Sequence, residues 1–326
     1  MPKFSLENPF QENVLKSDTK FNKKQKHTEH KADEAKRKIV SEPVSKEKGR
    51  EKNKVTMEQA RQILGDDFYG REEVEDTFGF EIKDTEIPPI PYSSEELEDA
   101  KELGESLVLR ISHDEGGKPM TMKRIYEIMK PKMGKDHPLL LDSDFCNDVD
   151  YYKNEAFFKE APLKTEWKLI GSSFVDGSKD QNYVHQTRLL RDHLKSVGSL
   201  SAYEEQRCSD EVLRRLSEQM GVDWDSQEIV DKKKYEKNWK EVARELSELK
   251  VNVNHRRTLA EIIYDYAMKF KETKDQGVLK NDFDWSRTVS SRGEIGNIGM
   301  VRDIGARVTT DRPGKRHSGT GVISVR

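Results

Sequence analysis

Cysteine is scarce in this chain of 326 residues, which contains only Cys146 and Cys208. Two thiols so far apart in sequence form neither a disulfide framework nor a zinc site made of cysteines alone, so we expect a reducing compartment, the cytoplasm. No stretch approaches the ~18 consecutive apolar residues that indicate a membrane-spanning helix. The first ten residues also lack the apolar segment of a signal peptide. The sequence therefore predicts neither a membrane partner nor secretion.

Catalytic and cofactor motifs are also lacking. The sequence contains no C-x2-C, H-E-x-x-H or EF-hand pattern, no G-x-x-x-x-G-K-[ST] phosphate loop and no G-x-S-x-G turn. His185 and His193 are eight residues apart, too far along one helix to bind one ion together. We therefore predict no catalytic residue, no cofactor, no metal and no enzymatic activity. An enzyme with a site near His113 or Trp167 is the third of three hypotheses, and no motif supports it.

The composition lies at the polar limit of globular proteins, since charged residues make up 37% of the chain and hydrophobic residues only 33%. The net charge of -3 opposes a protein that coats nucleic acid along its whole length. Residues 1–54 are different, because they carry 15 Lys or Arg against 9 Asp or Glu. We predict a disordered tail there. The alternative is a basic arm that binds nucleic acid or an acidic surface.

Local signals divide residues 55–177 into three segments. Residues 55–86 predict a helical hairpin, whose first helix begins at Thr56 with Gln59 completing a capping box and whose second helix covers residues 71–78. Residues 87–92 are a Pro-rich linker, because proline fixes the backbone in an extended form. Residues 93–177 predict a small α+β region. It contains a helix capped by Ser93, a helix starting at Thr121, and strands over 106–112 and 167–175 that pair with each other.

Residues 178–282 have the apolar spacing of one-sided amphipathic helices. Four such helices with short connections predict a bundle. Their apolar faces include Leu190 and Leu194 in the first helix, Leu213 and Leu216 in the second, Tyr235 and Trp239 in the third, and Ile262 and Tyr266 in the fourth.

The composition changes in the last 42 residues, which begin at Trp285. They contain seven glycines, short β-branched runs, and eight Lys or Arg against three acids. Glycines permit close turns, and Val308, Val322, Ile323 and Val325 can anchor short strands. We therefore predict a β-rich C-terminal element over 283–326 whose loops expose side chains to a ligand. The candidate ligand-binding residues are Arg292, Arg302, Asp303, Arg307, Arg312 and His317.

Two resemblances accompany this pattern. Trp285-Ser-Arg-Thr288, Asp303-Ile-Gly-Ala-Arg-Val308, Arg312-Pro313 and the final Gly321-Val-Ile-Ser-Val-Arg326 resemble the closing strands of the C-type-lectin-like fold of formylglycine-generating-enzyme relatives. The resemblance implies a binding face, but the segment has no cysteine for the copper chemistry of those enzymes. The body, with Gly65-Asp-Asp-Phe-Tyr-Gly70, Trp167-Lys-Leu-Ile170 and Tyr183-x-x-Gln186-Thr187, is similar to a family of uncharacterised proteins from candidate-phylum bacteria.

These observations predict an α+β fold with a mostly helical body, a small sheet, a disordered basic tail and a β-rich C-terminal element. The expected function is non-enzymatic binding of a protein or other ligand by the C-terminal Gly/Arg-rich loops, since arginine makes bidentate contacts and binding residues concentrate on loops. The alternative is a nucleic-acid-associated protein that uses the basic tail and the basic C-terminus. A third possibility for the element is a hairpin that only covers the body, with its arginines solvated.

Overall fold

The computed structural model describes residues 55–133, 149–273, 282–300 and 306–326. The predicted tail, residues 1–54, lies outside these ranges, as do Cys146, Arg302 and Asp303. No helix within the ranges is long and apolar enough to cross a bilayer. The fold is α+β, as predicted, because helices predominate and the strands form two small sheets.

The helices and the strands, each numbered in chain order, have the following bounds. The helices are α1 Met57–Leu64, α2 Arg71–Phe78, α3 Ser94–Glu102, α4 Met122–Met133, α5 Ala156–Lys159, α6 Tyr183–Ser196, α7 Ala202–Arg207, α8 Asp210–Met220, α9 Lys232–Glu248, α10 Lys250–His255 and α11 Leu259–Thr273. The strands are β1 Phe68–Tyr69, β2 Ser106–Arg110, β3 Glu166–Ile170, β4 Phe283–Val289, β5 Ile295–Met300, β6 Ala306–Asp311 and β7 Thr320–Gly321.

Helix starts follow the predicted capping signals. The side chain of Thr56 accepts a hydrogen bond from the backbone of Gln59, whose own side chain bonds back to Thr56, and Ser93 and Glu96 repeat this arrangement. Each pair satisfies two backbone donors that the first turn of a helix leaves open. The predictions for α1 and α3 are therefore confirmed.

The strands form two sheets. In the first sheet β2 pairs with β1 in parallel and with β3 in antiparallel orientation. The second sheet has the order β6-β5-β4-β7, which confirms a β-rich C-terminal element. The predicted strand over 167–175 is shorter than expected and ends at Ile170. It ends there because Ile170 pairs with Ser106, the first residue of β2. Beyond this point the backbone N–H groups of Gly171 and Val175 donate to residues 324 and 322.

Two buried hydrophobic clusters hold these elements together. One surrounds the first sheet and α11, and the other contains α6, α8 and α9. The second sheet contributes to both, since Ile298 and Val308 belong to the first cluster while Trp285 and Ile295 belong to the second. The sheet is thus part of the packed core, and it has four strands rather than the two of a hairpin.

A buried ion-pair network lies beside the first cluster. The guanidinium of Arg110 binds both carboxylate oxygens of Asp265, at 3.0 and 2.7 Å, and lies 3.3 Å from Glu261. Arg257 bridges Asp265, at 3.0 Å, and Asp284, at 2.8 Å. Burial of charge is costly unless each group is paired, and here each carboxylate receives at least one guanidinium. The network joins β2, α11 and β4.

The final residues, 322–326, form a strap along the edge of the first sheet. Its backbone bonds in both directions with Leu169 of β3, so that the strap extends that sheet for a short distance. It also bonds to His255 at the end of α10 and to Asp284 of β4. The side chain of Arg326 then binds both carboxylate oxygens of Glu105. The strap therefore connects the two sheets.

Glu204 of α7 lies beside His255, whose backbone bonds to the strap. Its carboxylate accepts hydrogen bonds from the backbone and hydroxyl of Ser201 (3.0 and 2.6 Å), from Asn254 (2.7 Å) and from His255 (3.1 Å). Burial alone would raise the pKa of Glu204, but the bonds from Ser201 and Asn254, together with His255, outweigh burial and lower the pKa to about 2.

This lowered pKa predicts acid sensitivity. A carboxyl group whose pKa is lower in the folded than in the unfolded chain stabilises the fold above its unfolded pKa, and the stabilisation is lost as pH falls towards the folded pKa. Between the ordinary value of 4.5 and the folded value of about 2, we expect the free energy of unfolding to fall by roughly 2–3 kcal/mol through this group.

Urea unfolding at several pH values measures this loss. Glu204→Gln is expected to flatten the pH dependence in this window, because the amide does not titrate. Glu205→Gln is the matched control, since the neighbouring Glu205 forms an exposed pair with Lys195. An unchanged slope in Glu204→Gln would contradict the assignment.

Candidate functional site

The structure describes four of the six candidate ligand-binding residues. Arg292 lies in the turn between β4 and β5, while Arg312 and His317 lie in the loop between β6 and β7. Arg307 lies within β6 and is half-buried, so its predicted position on a loop was wrong. The alternation of β6 buries Ala306 and Val308 and leaves Arg307 on the other face of the strand.

Arg312 is held against helix α9. Its Nη1 donates to Glu236 at 2.6 Å, and its guanidinium carbon lies 4.7 Å from the centre of the Trp239 ring. Cation–π contact and the ion pair together fix the guanidinium plane. Within the described residues, Nη1 is the only nitrogen of this side chain that donates a hydrogen bond, so the Nε and Nη2 nitrogens of the guanidinium stay available as donors.

Arg292 is the most exposed of the four, with 59% of its side chain accessible. It lies 3.0 Å from Glu294 and donates to the hydroxyl of Thr310 at 3.3 Å. That hydroxyl in turn donates to Glu294 at 2.7 Å. The turn before β5 is therefore tied to β6 by side chains, which limits the conformations of Arg292.

His317 faces Asp311 and the buried Trp285. Its Nε2 is 3.0 Å from a carboxylate oxygen of Asp311, although the angle is not that of a hydrogen bond. The His317 and Trp285 rings are 6.2 Å apart, and Asn297 donates to Asp311 at 3.1 Å. Among the described residues, the indole nitrogen of Trp285 has no hydrogen-bond partner.

The loop that carries Arg312 and His317 is packed tightly on the body. A Cβ atom at Gly314 would lie 2.6 Å from the ring of Tyr235, so only glycine fits this close approach. The carbonyl of Pro313 accepts a hydrogen bond from the backbone of Tyr183 at 3.0 Å. The loop is thereby fixed at both α6 and α9.

We refer to Arg292, Arg312, His317, Glu236 and Trp239 as the C-terminal face. The sequence placed Trp239 on the apolar side of a helix and did not connect it, or Glu236, with the arginines. The apolar pattern locates a buried aromatic ring, but it does not show which distant cation will cover it. Arg307 does not belong to this face. Arg292, Arg312 and His317 each lie beside an acid, so the face has mixed charge.

Two other features bear on catalysis and metals. Ser324 and His193 line a cleft of about 130 Å³, with Oγ and Nε2 3.3 Å apart, and burial lowers the pKa of His193. Among the described residues no carboxylate bonds to the other ring nitrogen, so the third group of a hydrolase triad is missing. Nor does the described part contain three His, Cys, Asp or Glu side chains placed for one metal ion.

A wider groove of about 570 Å³ lies between α7, α8 and α9. Tyr203, Val212 and Leu249 supply its apolar surface, and it contains none of the candidate residues. Its charged walls are Arg207, Arg215, Glu245 and Glu248.

Comparison with known proteins gives no match to a family model, to a curated protein or to a solved structure. The resemblances to the lectin-like closing strands and to the candidate-phylum family therefore remain predictions.

Proposed function

We propose that this protein is a non-enzymatic binding protein that recognises a partner protein through the C-terminal face. The observation that supports this most directly is the position of Arg312, fixed between Glu236 and Trp239 with part of its guanidinium still able to donate. A side chain that is already ordered loses less entropy when it binds, which favours its use in recognition. Arg302 and Asp303 belong to this proposal on the sequence pattern alone.

The chemistry of the face suggests the kind of partner. The remaining guanidinium donors of Arg312 suit a carboxylate, which they can bind in bidentate fashion. Glu236 is 62% exposed and offers an acceptor beside it. A partner surface with an acidic group opposite Arg312 and a basic group opposite Glu236 would complement the face. Such a pattern selects a protein rather than a uniformly anionic polymer.

Arg312→Ala tests the proposal. Partners recovered with the full chain from native lysate are identified by mass spectrometry, and the affinity of a purified partner is then measured by titration calorimetry. We expect the substitution to weaken binding about tenfold or more, since an ordered interfacial arginine commonly contributes above ~1.4 kcal/mol.

Arg215→Ala is the matched control. Arg215 also forms an exposed ion pair, with Glu245, but it lines the groove between α7, α8 and α9. Binding lost in Arg215→Ala and kept in Arg312→Ala would contradict the proposal and place the partner in the groove. Recovery of nucleic acid alone, with affinity that falls steeply as salt rises, would instead favour the nucleic-acid alternative.

A further inference from the structure

Trp224 lies where two helices, α6 and α8, each place an arginine beside its ring. The guanidinium carbons of Arg188 (α6) and Arg214 (α8) lie 5.5 and 5.7 Å from the centre of the Trp224 ring. The ring of His185 is also close, with its centroid 4.6 Å from that of Trp224. The indole is therefore close to two guanidinium groups and one imidazole.

Neither guanidinium has an anionic partner in the part of the chain that the structure describes. Among the described residues, Arg188 and Arg214 form no ion pair and no side-chain hydrogen bond, in contrast to Arg191 and Arg215 on the same two helices. The Nε of Arg188 is buried and has no acceptor within the described ranges. A buried donor of a charged group without an acceptor is unfavourable, and two cations that share one ring repel each other. An anion that contacts both guanidinium groups would remove both penalties.

The surrounding charges favour the same occupant. Burial, followed by the charge of Arg188, lowers the pKa of His185 to about 4, so its ring is neutral near pH 7. Arg316, which donates to the carbonyl of Asp180 at 2.8 Å, adds positive potential at His185. Asp225 is the acid that acts on His185, but it is exposed and pairs with neither guanidinium.

We propose that Arg188 and Arg214 form a binding site for a phosphate group beside Trp224. A phosphate group carries about -1.5 to -2 charge near pH 7 and has three or more acceptor oxygens, which match two guanidinium groups. A single carboxylate carries half that charge and two oxygens. Because Trp224 is buried, the site offers no aromatic surface for base stacking, so the phosphate itself is the recognised group. The site shares no residue with the C-terminal face and does not depend on its function.

Titration calorimetry of the full chain with inorganic phosphate, at constant ionic strength set with sodium chloride, tests this site. Ribose 5-phosphate in a second titration distinguishes a free phosphate from the phosphate of a larger molecule. We expect saturable binding of at least one of them, and a loss of affinity of tenfold or more in the double variant Arg188→Gln/Arg214→Gln.

Arg215→Gln/Arg244→Gln is the matched control, since it removes the same charge from exposed positions of α8 and α9. Its affinity is expected to stay within about twofold of the original chain, which is within ~0.4 kcal/mol. If the first double variant does not fold, Arg214→Lys is tested instead, since it keeps the charge at an exposed position. We expect this variant to bind more weakly, because lysine lacks the planar guanidinium that binds phosphate in bidentate fashion. Absence of binding for both ligands, or equal losses in both double variants, would overturn the proposal.

Discussion

Asp265→Ala is expected to destabilise the protein by about 3–5 kcal/mol, because it leaves two buried guanidinium groups without their shared carboxylate. Arg110 and Arg257 both bind Asp265, and all three side chains are at least 95% buried. Neither arginine can move into water without disturbing the core. The loss is measured as the free energy of unfolding in urea, from the transition midpoint and slope.

Glu245→Ala provides the comparison for this result. Glu245 pairs with Arg215 at 2.5 Å, but both side chains are exposed, so we expect a loss below about 1 kcal/mol. Similar losses in the two variants would show that the interior network is not desolvated as the structure indicates.

Trp285→Ala is the second substitution with a large expected effect, a loss of about 3–5 kcal/mol. The Trp285 side chain is fully buried and packs against Tyr183 of α6, with ring centroids 5.1 Å apart. Its removal would leave a cavity where the second sheet meets the helices. Thermal and urea unfolding of the variant measure the loss.

Trp285→Phe separates packing from polar contacts. The indole nitrogen has no acceptor among the described residues, so its removal should cost no hydrogen bond. We expect Trp285→Phe to lower the free energy of unfolding by about 1–2 kcal/mol, because it loses only the packing contacts that the smaller ring cannot make. A loss as large as that of Trp285→Ala would mean that the indole nitrogen makes a bond that the structure does not contain.

The parts of the fold that were predictable from the sequence depend on neighbouring residues. Thr56 with Gln59 and Ser93 with Glu96 mark helix starts within three residues, and the apolar residues after Ser106 and around Val308 mark strands. The glycine-rich composition after Trp285 correctly indicated a second β region. The domain boundaries and the lectin-like resemblance remain predictions.

Other features depend on residues that are far apart in the sequence. Arg110 and Asp265 are 155 residues apart, and Arg312 and Glu236 are 76 residues apart. No periodicity relates such positions, so neither the buried network nor the support of Arg312 was predictable. The placement of Arg307 on a loop failed for a related reason. Its position depends on how β6 pairs with β5, and pairing fixes the strand limits more closely than composition does.

The strap formed by residues 322–326 has a consequence for the order of folding. The hydroxyl of Tyr92 donates a hydrogen bond to the carbonyl of Arg326, which is 234 residues further along the chain. During synthesis, β3 is complete long before these residues leave the ribosome, so its outer edge has unpaired backbone groups in the meantime. Exposed strand edges can pair with other chains, and contacts between distant residues form slowly. We therefore expect the nascent chain to be prone to aggregation in the interval before the strap is added.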